Sequence, residues 1–334
     1  MRFLVTGGAG FMGSNFVRYL LSARADAEVL VYDKFTYAGR RENLLGLNEG
    51  RLKVVQGDIC DASTLERVFV EYEPEVVVNF AAETHVDRSI KDPLSFVKTN
   101  VEGVAVLLEI ARRREVDLIV HISTDEVYGD VGDGEPVDES AAFRPSSPYS
   151  ASKAGGDLLC QAYWRTYGLP IRIVRPSNNY GPYQYPEKFI PKTIIRALLG
   201  LPIPVYGDGS QRRDWLFVED FCRGLEVIIE KGKNGEAYNL PGFNEKRNVE
   251  VVEDVLRLLG RPRSLVRFVA ERPGHDRRYA MKGNKVLALG WRPLVPWEEG
   301  LRRTVKWYVS NEWWWRPLLS DSFFVSDAPW GGGK

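Results

Sequence analysis

The chain opens with MRFLVTGGAGFMGSNF (residues 1–16), in which an apolar run is followed directly by glycines and then by a second apolar segment. Residues 2–6 predict a buried strand, and the glycines predict a tight turn into a helix that ends near Ser22. Such turns let backbone N–H groups at a helix start approach a pyrophosphate. The glycines fit G-x-x-G-x-x-G at positions 7, 10 and 13 and G-x-G-x-x-G at positions 8, 10 and 13. This stretch therefore predicts a dinucleotide-binding loop, with a purely structural turn as the alternative.

A second apolar strand is predicted at residues 28–32 and ends at Asp33, twenty residues after Gly13. A carboxylate at this position can accept hydrogen bonds from the adenosine ribose diol, and it repels a 2′-phosphate. Asp33 therefore favours NAD over NADP. Lys34, Arg40 and Arg41 lie close by in the sequence and weaken that preference.

Apolar strands alternate with helices through the first half of the chain. Further strands are predicted at residues 52–56, 75–80, 118–122 and 171–174, with Asp61 capping one helix and Asp92-Pro93 starting a long one. Unbroken apolar strands in this rhythm predict an α/β fold with a doubly wound parallel sheet of the Rossmann type, whose ligands bind at the carboxyl ends of the strands.

The regular alternation of strands and helices ends after residue 175, where prolines and aromatic residues become more frequent. We expect an NAD-binding Rossmann domain at residues 1–175, rejoined by residues 214–242. A smaller mixed α/β C-terminal substrate domain is expected at residues 176–213 and 243–318, with helices at residues 249–259 and 297–310. Residues 319–334 are expected to be a tail, frayed at residues 331–334.

The composition is that of a globular enzyme, with 334 residues, 44% hydrophobic and 27% charged. Basic and acidic residues number 45 each, so no global charge predicts binding to nucleic acid or to an anionic membrane. Three cysteines without a C-x-x-C pattern are typical of a reducing compartment. No stretch of about 18 apolar residues is present and the N-terminal run is too short for a signal peptide, so we expect a cytoplasmic protein. Residues 313–315 are three tryptophans, which we expect to pack against the body rather than to anchor a membrane.

Tyr149 and Lys153 lie four residues apart, on one face of a predicted helix. An adjacent ammonium favours the phenolate and lowers the tyrosine pKa toward use as a base. Taken alone, the pair could be an exposed helix pair. Upstream, however, Ser123-Thr124-Asp125-Glu126 follows a strand end, and the glycine-rich loop precedes both. This is the order that a nicotinamide-dependent oxidoreductase requires.

With these residues the chain resembles the extended short-chain dehydrogenase/reductase superfamily and, within it, the dTDP-glucose 4,6-dehydratase family. The resemblance extends from residue 1 to about residue 318. It is carried by DKFTYAG (33–39), AAETHVDRS (81–89), STDEVYG (123–129), NNYGPYQ (178–184) and PEKFIP (186–191). Met12, Thr84 and Phe189 replace the usual isoleucine, serine and leucine, and none of them is an acid or base position.

The resemblance implies a tightly bound NAD and a three-stage reaction: oxidation of the sugar at C4, loss of water across C5–C6, and return of the hydride to C6. The product would be dTDP-4-keto-6-deoxyglucose, used for deoxysugars such as rhamnose. By resemblance, Tyr149 takes the C4 hydroxyl proton, Lys153 holds the nicotinamide ribose and Thr124 bonds the same hydroxyl. Elimination needs a base and an acid, which by resemblance are Glu126 and Asp125. Without the surrounding motif, Asp125-Glu126 could be a solvated loop or a pair of residues at a helix start.

The resemblance also implies two sets of binding residues and no metal site. The cofactor set is Gly7, Gly10, Phe11, Met12, Gly13, Asp33, Lys34, Phe35, Thr36, Asp58, Ile59, Phe80, Ala81, Ala82, Thr84, Thr99, Tyr149, Lys153 and Asn179. The substrate set is Thr84, His85, Thr124, Asn178, Lys188, Phe189, Ile190, Pro204, Val205, Tyr206, Arg213, Asn248, Arg272 and His275. His85 is equally consistent with a structural hydrogen bond, His275 with a surface position, and His121, inside a strand, with the core.

Other functions remain open at this point. A nucleotide-sugar 4-epimerase or decarboxylase would use Tyr149 and Lys153 but would not need Asp125-Glu126. A CDP- or GDP-sugar dehydratase would need both pairs, and a non-catalytic NAD-binding regulator would need neither. The resemblance also implies a homodimer, formed by the helices at residues 93–114 and 149–167.

Overall fold

Twelve strands form one large and two small sheets in this computed structural model, which describes residues 1–327 and 329. The strands are β1 (Arg2–Thr6), β2 (Glu28–Asp33), β3 (Leu52–Gln56), β4 (Val76–Asn79), β5 (Leu118–Ile122), β6 (Ile171–Pro176), β7 (Asn178–Tyr180), β8 (Ile203–Tyr206), β9 (Arg212–Phe217), β10 (Ala237–Leu240), β11 (Glu245–Arg247) and β12 (Val266–Val269). The seven-stranded sheet has the order β10-β6-β5-β4-β1-β2-β3. All its neighbouring strands are parallel, which confirms the predicted fold class.

Helices cover both faces of the large sheet and build most of the C-terminal region. The α-helices are α1 (Phe11–Ala23), α2 (Ala62–Tyr72), α3 (Val86–Lys91), α4 (Pro93–Val97), α5 (Gly103–Arg113), α6 (Pro148–Tyr167), α7 (Phe189–Leu199), α8 (Val218–Lys231), α9 (Asn248–Leu259), α10 (Asn284–Ala288), α11 (Trp297–Ser310), α12 (Glu312–Trp315) and α13 (Ser322–Val325). Single 3₁₀ turns occur at Arg41–Leu44, Asp125–Tyr128, Arg263–Leu265 and Arg316–Leu318.

The six predicted strands of the first half are all present, but the predicted long helix after Asp92-Pro93 is interrupted. A π-helical turn at Lys98–Glu102 separates α4 from α5. Within it, the Asn100 side-chain amide donates to the Glu83 carbonyl oxygen at 3.0 Å and to Ser152 Oγ at 2.8 Å. Asn100 thus ties the loop after β4 to α6, a contact between distant residues that the helical pattern does not contain.

The position of the sheet's switch point follows from the strand order. Strand β1 lies between β2 and β4, so chain connections leave it in both directions and a crevice opens at its carboxyl end. Of residues 214–242, α8 packs on α1 and β10 extends the large sheet, whereas β9 belongs to the three-stranded sheet β11-β9-β7. The division into two domains stays a proposal on this topology.

A buried ion pair joins α6 to the sheet below it. The Arg175 guanidinium donates to Asp157 Oδ2 at 2.9 Å, and the two side chains are 1% and 0% exposed. Ser123 Oγ donates to the same carboxylate at 2.9 Å. Arg175 also donates to the Tyr128 hydroxyl, which in turn donates to Asn239. The pair therefore fixes α6 against the ends of β5 and β6.

The C-terminal tryptophans differ in burial. Trp314 and Trp315 are buried, while Trp313 is 56% exposed. Two of the three therefore pack against the body, as expected. In the described part of the chain, no helix is both long and apolar enough to cross a membrane. The expected fraying at residues 331–334 lies outside the described residues.

Candidate active site

The glycine loop after β1 leaves a space that side chains would fill. Gly7 has a φ of +67°, and a Cβ there would lie 2.5 Å from the Ala81 backbone nitrogen. A Cβ at Gly13 would lie 2.4 Å from the Gly7 carbonyl oxygen. Gly10 precedes α1, whose first backbone N–H groups have no side-chain cap. These contacts require glycine, and the cradle at the helix start fits a pyrophosphate.

The Asp33 carboxylate is held at the end of β2 by two backbone groups. Its oxygens accept from Ala9 N at 2.9 Å and Phe35 N at 2.8 Å, and burial raises its pKa. The neighbouring cations are engaged elsewhere, since Lys34 pairs with Asp58 at 2.7 Å and Arg41 lies 4.5 Å from the Phe35 ring centroid. The carboxylate is therefore the charged group best placed for a ribose diol.

Two adjoining cavities contain nearly all of the predicted site residues. The first cavity runs from the glycine loop past Asp33 to Lys153, and it is lined by every predicted cofactor residue except Phe35. The second lies under β8 and the loop that carries Arg272 and His275. The two cavities share a wall made of Thr84, Glu126, Asn178, Asn179, Gln184 and Lys188. A ligand in one cavity would therefore meet a ligand in the other at this wall.

Two predicted binding residues do not line these cavities. Phe35 packs beneath Arg41 and acts through its backbone, which holds Asp33. Val205 is 0% exposed and packs with Ile203 in an apolar cluster. Its side chain points into that core because alternate residues of β8 face opposite sides, which leaves Pro204 and Tyr206 at the second cavity.

Helix α6 brings Tyr149 and Lys153 to the first cavity. It begins with a capping box between Ser147 and Ser150, and both functional side chains are buried. Lys153 Nζ donates to the Ile122 carbonyl oxygen at 2.6 Å, and burial lowers its pKa to about 8. The lowered tyrosine pKa predicted from the sequence is not seen. Burial, together with the negative charge of Glu126, raises the pKa of Tyr149.

The acid–base pair lies on a 3₁₀ turn at the end of β5. Thr124 caps this turn, accepting from Glu126 N at 3.3 Å and donating to Asp125 Oδ1 at 3.1 Å. Burial and the charge of Glu126 raise the pKa of Asp125 well above its usual range. Burial also raises the pKa of Glu126, but Arg272, Arg213 and Lys188 oppose the rise. Both pKa values are thus raised, and the cations near Glu126 favour its ionisation over that of Asp125.

Side chains that were not predicted as site residues support Glu126 and the second cavity. The Tyr279 hydroxyl donates to Asp276 at 2.6 Å and lies 3.4 Å from Glu126 Oε2. Asp87 accepts from Arg272 and from the Tyr206 hydroxyl, each at 3.0 Å. Asp87 lies within the AAETHVDRS string and could have been found there. Tyr279 reaches Glu126 only through the fold.

The three histidines fall into two groups. His85 and His275 line the second cavity, and burial lowers the pKa of each. His275 pairs with Glu271 at 2.5 Å and is not a plain surface residue. His121 is a core residue, as expected, with Nδ1 3.1 Å from the Asn79 amide nitrogen.

Several buried oxygens near the shared wall have no hydrogen-bond partner among the described residues. They are Asp125 Oδ2, Asn178 Oδ1, Asn179 Oδ1 and Gln184 Oε1. Buried polar atoms are costly when unpaired, so their clustering indicates a ligand that supplies hydrogen-bonding groups, such as a sugar.

Comparisons with known proteins agree with this geometry. The family model for GDP-mannose 4,6 dehydratase matches residues 4–304. A dTDP-glucose 4,6-dehydratase of Neisseria meningitidis is 49% identical, with 96% of this chain and 97% of that one covered. The dTDP-glucose 4,6-dehydratase 1 of Escherichia coli is 47% identical, with 94% of each covered.

Solved structures extend the likeness to three dimensions. The Streptomyces venezuelae dTDP-glucose 4,6-dehydratase, crystallised with NAD bound, matches with a TM-score of 0.93 at 49% identity over 95% of this chain and 100% of that one. A UDP-glucose 4-epimerase of Thermus thermophilus, in complex with NAD, matches with a TM-score of 0.87 at 34% identity over 93% and 100% of the two chains.

Proposed function

The chain belongs to the GDP-mannose 4,6-dehydratase family and, within it, to the dTDP-glucose 4,6-dehydratases, and from this membership we propose how its residues share the reaction. The protein is an NAD-dependent hydro-lyase that converts dTDP-glucose to dTDP-4-keto-6-deoxyglucose. One observation carries the assignment of roles: Asp125, Glu126 and Tyr149 line the first cavity together, and Glu126 lies where the two cavities meet.

NAD binds in the first cavity. The uncapped start of α1 would hold the pyrophosphate, and the Asp33 carboxylate would hold the adenosine ribose. When bound, NAD supplies the hydride acceptor for C4 and the donor for C6. Lys153, buried and lining this cavity, holds the nicotinamide ribose.

Oxidation at C4 depends on Tyr149. Its hydroxyl takes the proton of the C4 hydroxyl, and Thr124 bonds the same oxygen. The raised pKa of Tyr149 favours a protonated phenol in the chain alone. Part of the activation would therefore come from the Lys153 ammonium, which donates to the Ile122 carbonyl oxygen and would also hold the nicotinamide ribose.

Elimination across C5–C6 depends on the carboxyl pair. The C5 proton becomes acidic once C4 is a ketone, and Glu126, whose charged form is stabilised by three nearby cations, removes it. Asp125, kept protonated by burial and by the charge of Glu126, gives its proton to the leaving C6 hydroxyl. Two neighbouring carboxyls with separated pKa values thus fill both roles.

The nucleotide binds in the second cavity. Arg213 can contact a phosphate bidentately, and Lys188 Nζ, 2.8 Å from the Thr84 carbonyl oxygen, lies at the shared wall beside the sugar. Pro204, Tyr206 and Asn248 surround the base and ribose. A 4-epimerase would use the same fold but would not need Asp125 and Glu126.

We infer that the protein is a homodimer in the cytoplasm. Apolar side chains are exposed on α4 and α6, the helices expected to form the interface: Leu94 is 77%, Val97 49% and Leu158 55% exposed. Exposed apolar patches of this kind mark association sites. Cys60, Cys160 and Cys222 are free thiols, as in a reducing compartment.

The direct test is incubation of the purified protein with dTDP-glucose and catalytic NAD. We expect a 4-keto-6-deoxy product and no build-up of reduced nicotinamide over many turnovers, because the hydride is returned. Reduced nicotinamide growing in step with product would instead identify an ordinary dehydrogenase.

A further inference from the structure

The segment at residues 319–327, here called the C-terminal strap, follows the residues that the family model matches and is docked on the body. Its short helix α13 is capped by Asp321, whose side chain accepts from Phe323 N at 2.8 Å. Phe323 is 7% and Phe324 3% exposed. Arg196 of α7 donates to the Phe324 and Val325 carbonyl oxygens at 3.0 and 2.6 Å. The strap is thus an ordered part of the molecule rather than the tail that its sequence predicts.

The strap holds Arg88 from two directions. Asp321 Oδ2 accepts from the Arg88 guanidinium at 2.8 Å, and the guanidinium carbon lies 4.1 Å from the Phe323 ring centroid. On its other side the guanidinium lies 3.8 Å from the Tyr37 ring centroid. Its Nε donates at 2.7 Å to Glu187, which lines the second cavity and has a fully buried side chain. The strap therefore acts on Glu187 through Arg88.

A second connection runs through Lys192, another lining residue of the second cavity. Its ammonium donates to the carbonyl oxygens of Phe323 and Ser326, each at 2.8 Å. The Phe323 ring also meets His85 edge-on, with 5.5 Å between ring centroids. Three residues of the cavity wall, His85, Glu187 and Lys192, thus depend on the strap for their positions.

We propose that the C-terminal strap is a positioning element for nucleotide-sugar binding. It lines neither cavity itself and acts by fixing Arg88 and Lys192, which hold the far wall of the second cavity. This inference rests on the proposed role of the second cavity as the substrate site. Strap substitutions should therefore weaken substrate binding more than NAD binding, because among the described residues the strap reaches the first cavity only through Tyr185, on Asp321, and Tyr37, on Arg88.

The test compares Asp321→Asn and Phe323→Ala with the control Val325→Ala, whose side chain lies on the same strap and is 59% exposed. Loss of one charge-assisted contact typically changes an equilibrium about tenfold or more. We expect the KM for dTDP-glucose and the Kd for dTDP, measured by calorimetry, to rise about tenfold in both variants. The control should keep wild-type values, kcat should change less than about twofold, and the affinity for NAD should fall less than the affinity for dTDP.

Asp321→Glu should restore most of the affinity, because it keeps the charge that faces Arg88. If Asp321→Asn lowers the melting temperature but binds dTDP as tightly as wild type, the strap is only structural and the inference is wrong. The same measurement remains decisive if Phe323→Ala does not fold. A wild-type protein that does not convert dTDP-glucose would overturn the proposed function instead, so the two failures are distinguishable.

Discussion

Asp125 and Glu126 are similar in chemistry but differ in surroundings. Asp125 Oδ2 has no partner among the described residues, whereas Glu126 faces Arg272, Arg213 and Lys188. The nearby cations stabilise one carboxylate and the resulting charge opposes ionisation of the other. A single step along the chain therefore separates a base from an acid.

Replacing either carboxyl should stop elimination but not oxidation. We expect Asp125→Asn and Glu126→Gln to slow dehydration by about 10²–10⁴-fold, the usual contribution of a positioned acid or base. Rapid mixing with dTDP-glucose should then show reduced nicotinamide that persists on the enzyme. Glu126→Gln should also fail to exchange the C5 proton with deuterated water.

Tyr149→Phe is the matched comparison for these variants. It should abolish oxidation as well, so bound NAD should stay oxidised. Product formation at the native rate by both carboxyl variants would show that the division of roles is wrong.

The pH dependence of the dehydration rate should reflect the protonation of Asp125 and Glu126. Glu126 works as a base above its pKa and Asp125 as an acid below its own, so the rate should fall on both sides of an optimum. Among the nearby cations, Arg272 lowers the pKa of Glu126 the most. Arg272→Met should therefore raise that pKa further and move the acidic limb of the pH–rate profile to higher pH. The profile of kcat at saturating substrate measures this shift. Arg292→Met, at an exposed position, should leave it unchanged.

We expect Asp33 to determine the preference for NAD over NADP. The native protein should bind NAD more tightly than NADP. Asp33→Ala should reduce this difference in affinity because it removes the repulsion of a 2′-phosphate. Titration with NAD and with NADP measures the two affinities. Asp26→Ala, at an exposed position, is the control. Equal affinities in the native protein would contradict the role of Asp33.

At the scale of elements, the sequence predicted the strands and helices that are determined by their own residues. The strands of the large sheet are apolar runs bounded by turn residues, so their positions followed from the chain itself. The π-turn at Lys98–Glu102 and the docked strap did not, because both depend on partners far away in the sequence, such as Glu83 and Arg88. The same holds for Tyr279, which reaches Glu126 across 153 positions. Val205 was wrong as a lining residue because a motif does not show which way a strand residue faces.

The packing of α6 on the π-turn gives a prediction for two adjacent glycines. A Cβ at Gly156 would lie 2.6 Å from the Asn100 carbonyl oxygen, which is backbone, whereas one at Gly155 would lie 3.0 Å from a Val101 methyl carbon, which can move. We expect Gly156→Ala to reduce the free energy of unfolding by about 1–3 kcal/mol, as overpacking does. Gly155→Ala should reduce the free energy of unfolding by less. Denaturant unfolding of the two variants tests this, and equal losses would contradict it.

At the scale of the whole molecule, the exposed apolar side chains on α4 and α6 predict the assembly state. Leu94→Lys with Leu158→Lys should give a monomer, because the interface would have to bury two charges. Sedimentation velocity measures the change. Leu294→Lys, at a side chain 63% exposed elsewhere, should leave the dimer intact. A native protein that sediments as a monomer would contradict the inferred homodimer.

The buried Asp157–Arg175 pair has a consequence for how such proteins diverge. Removing one partner leaves an uncompensated buried charge, at a cost of about 3–5 kcal/mol, a large share of the roughly 5–15 kcal/mol that separates a folded protein from its unfolded chain. Losing both partners to well-packed apolar residues is much milder. Evolution by single mutations must therefore pass through a variant that carries only one partner and is destabilised. The residues at the two positions should accordingly change together. Lineages that differ at Asp157 should differ at Arg175 as well.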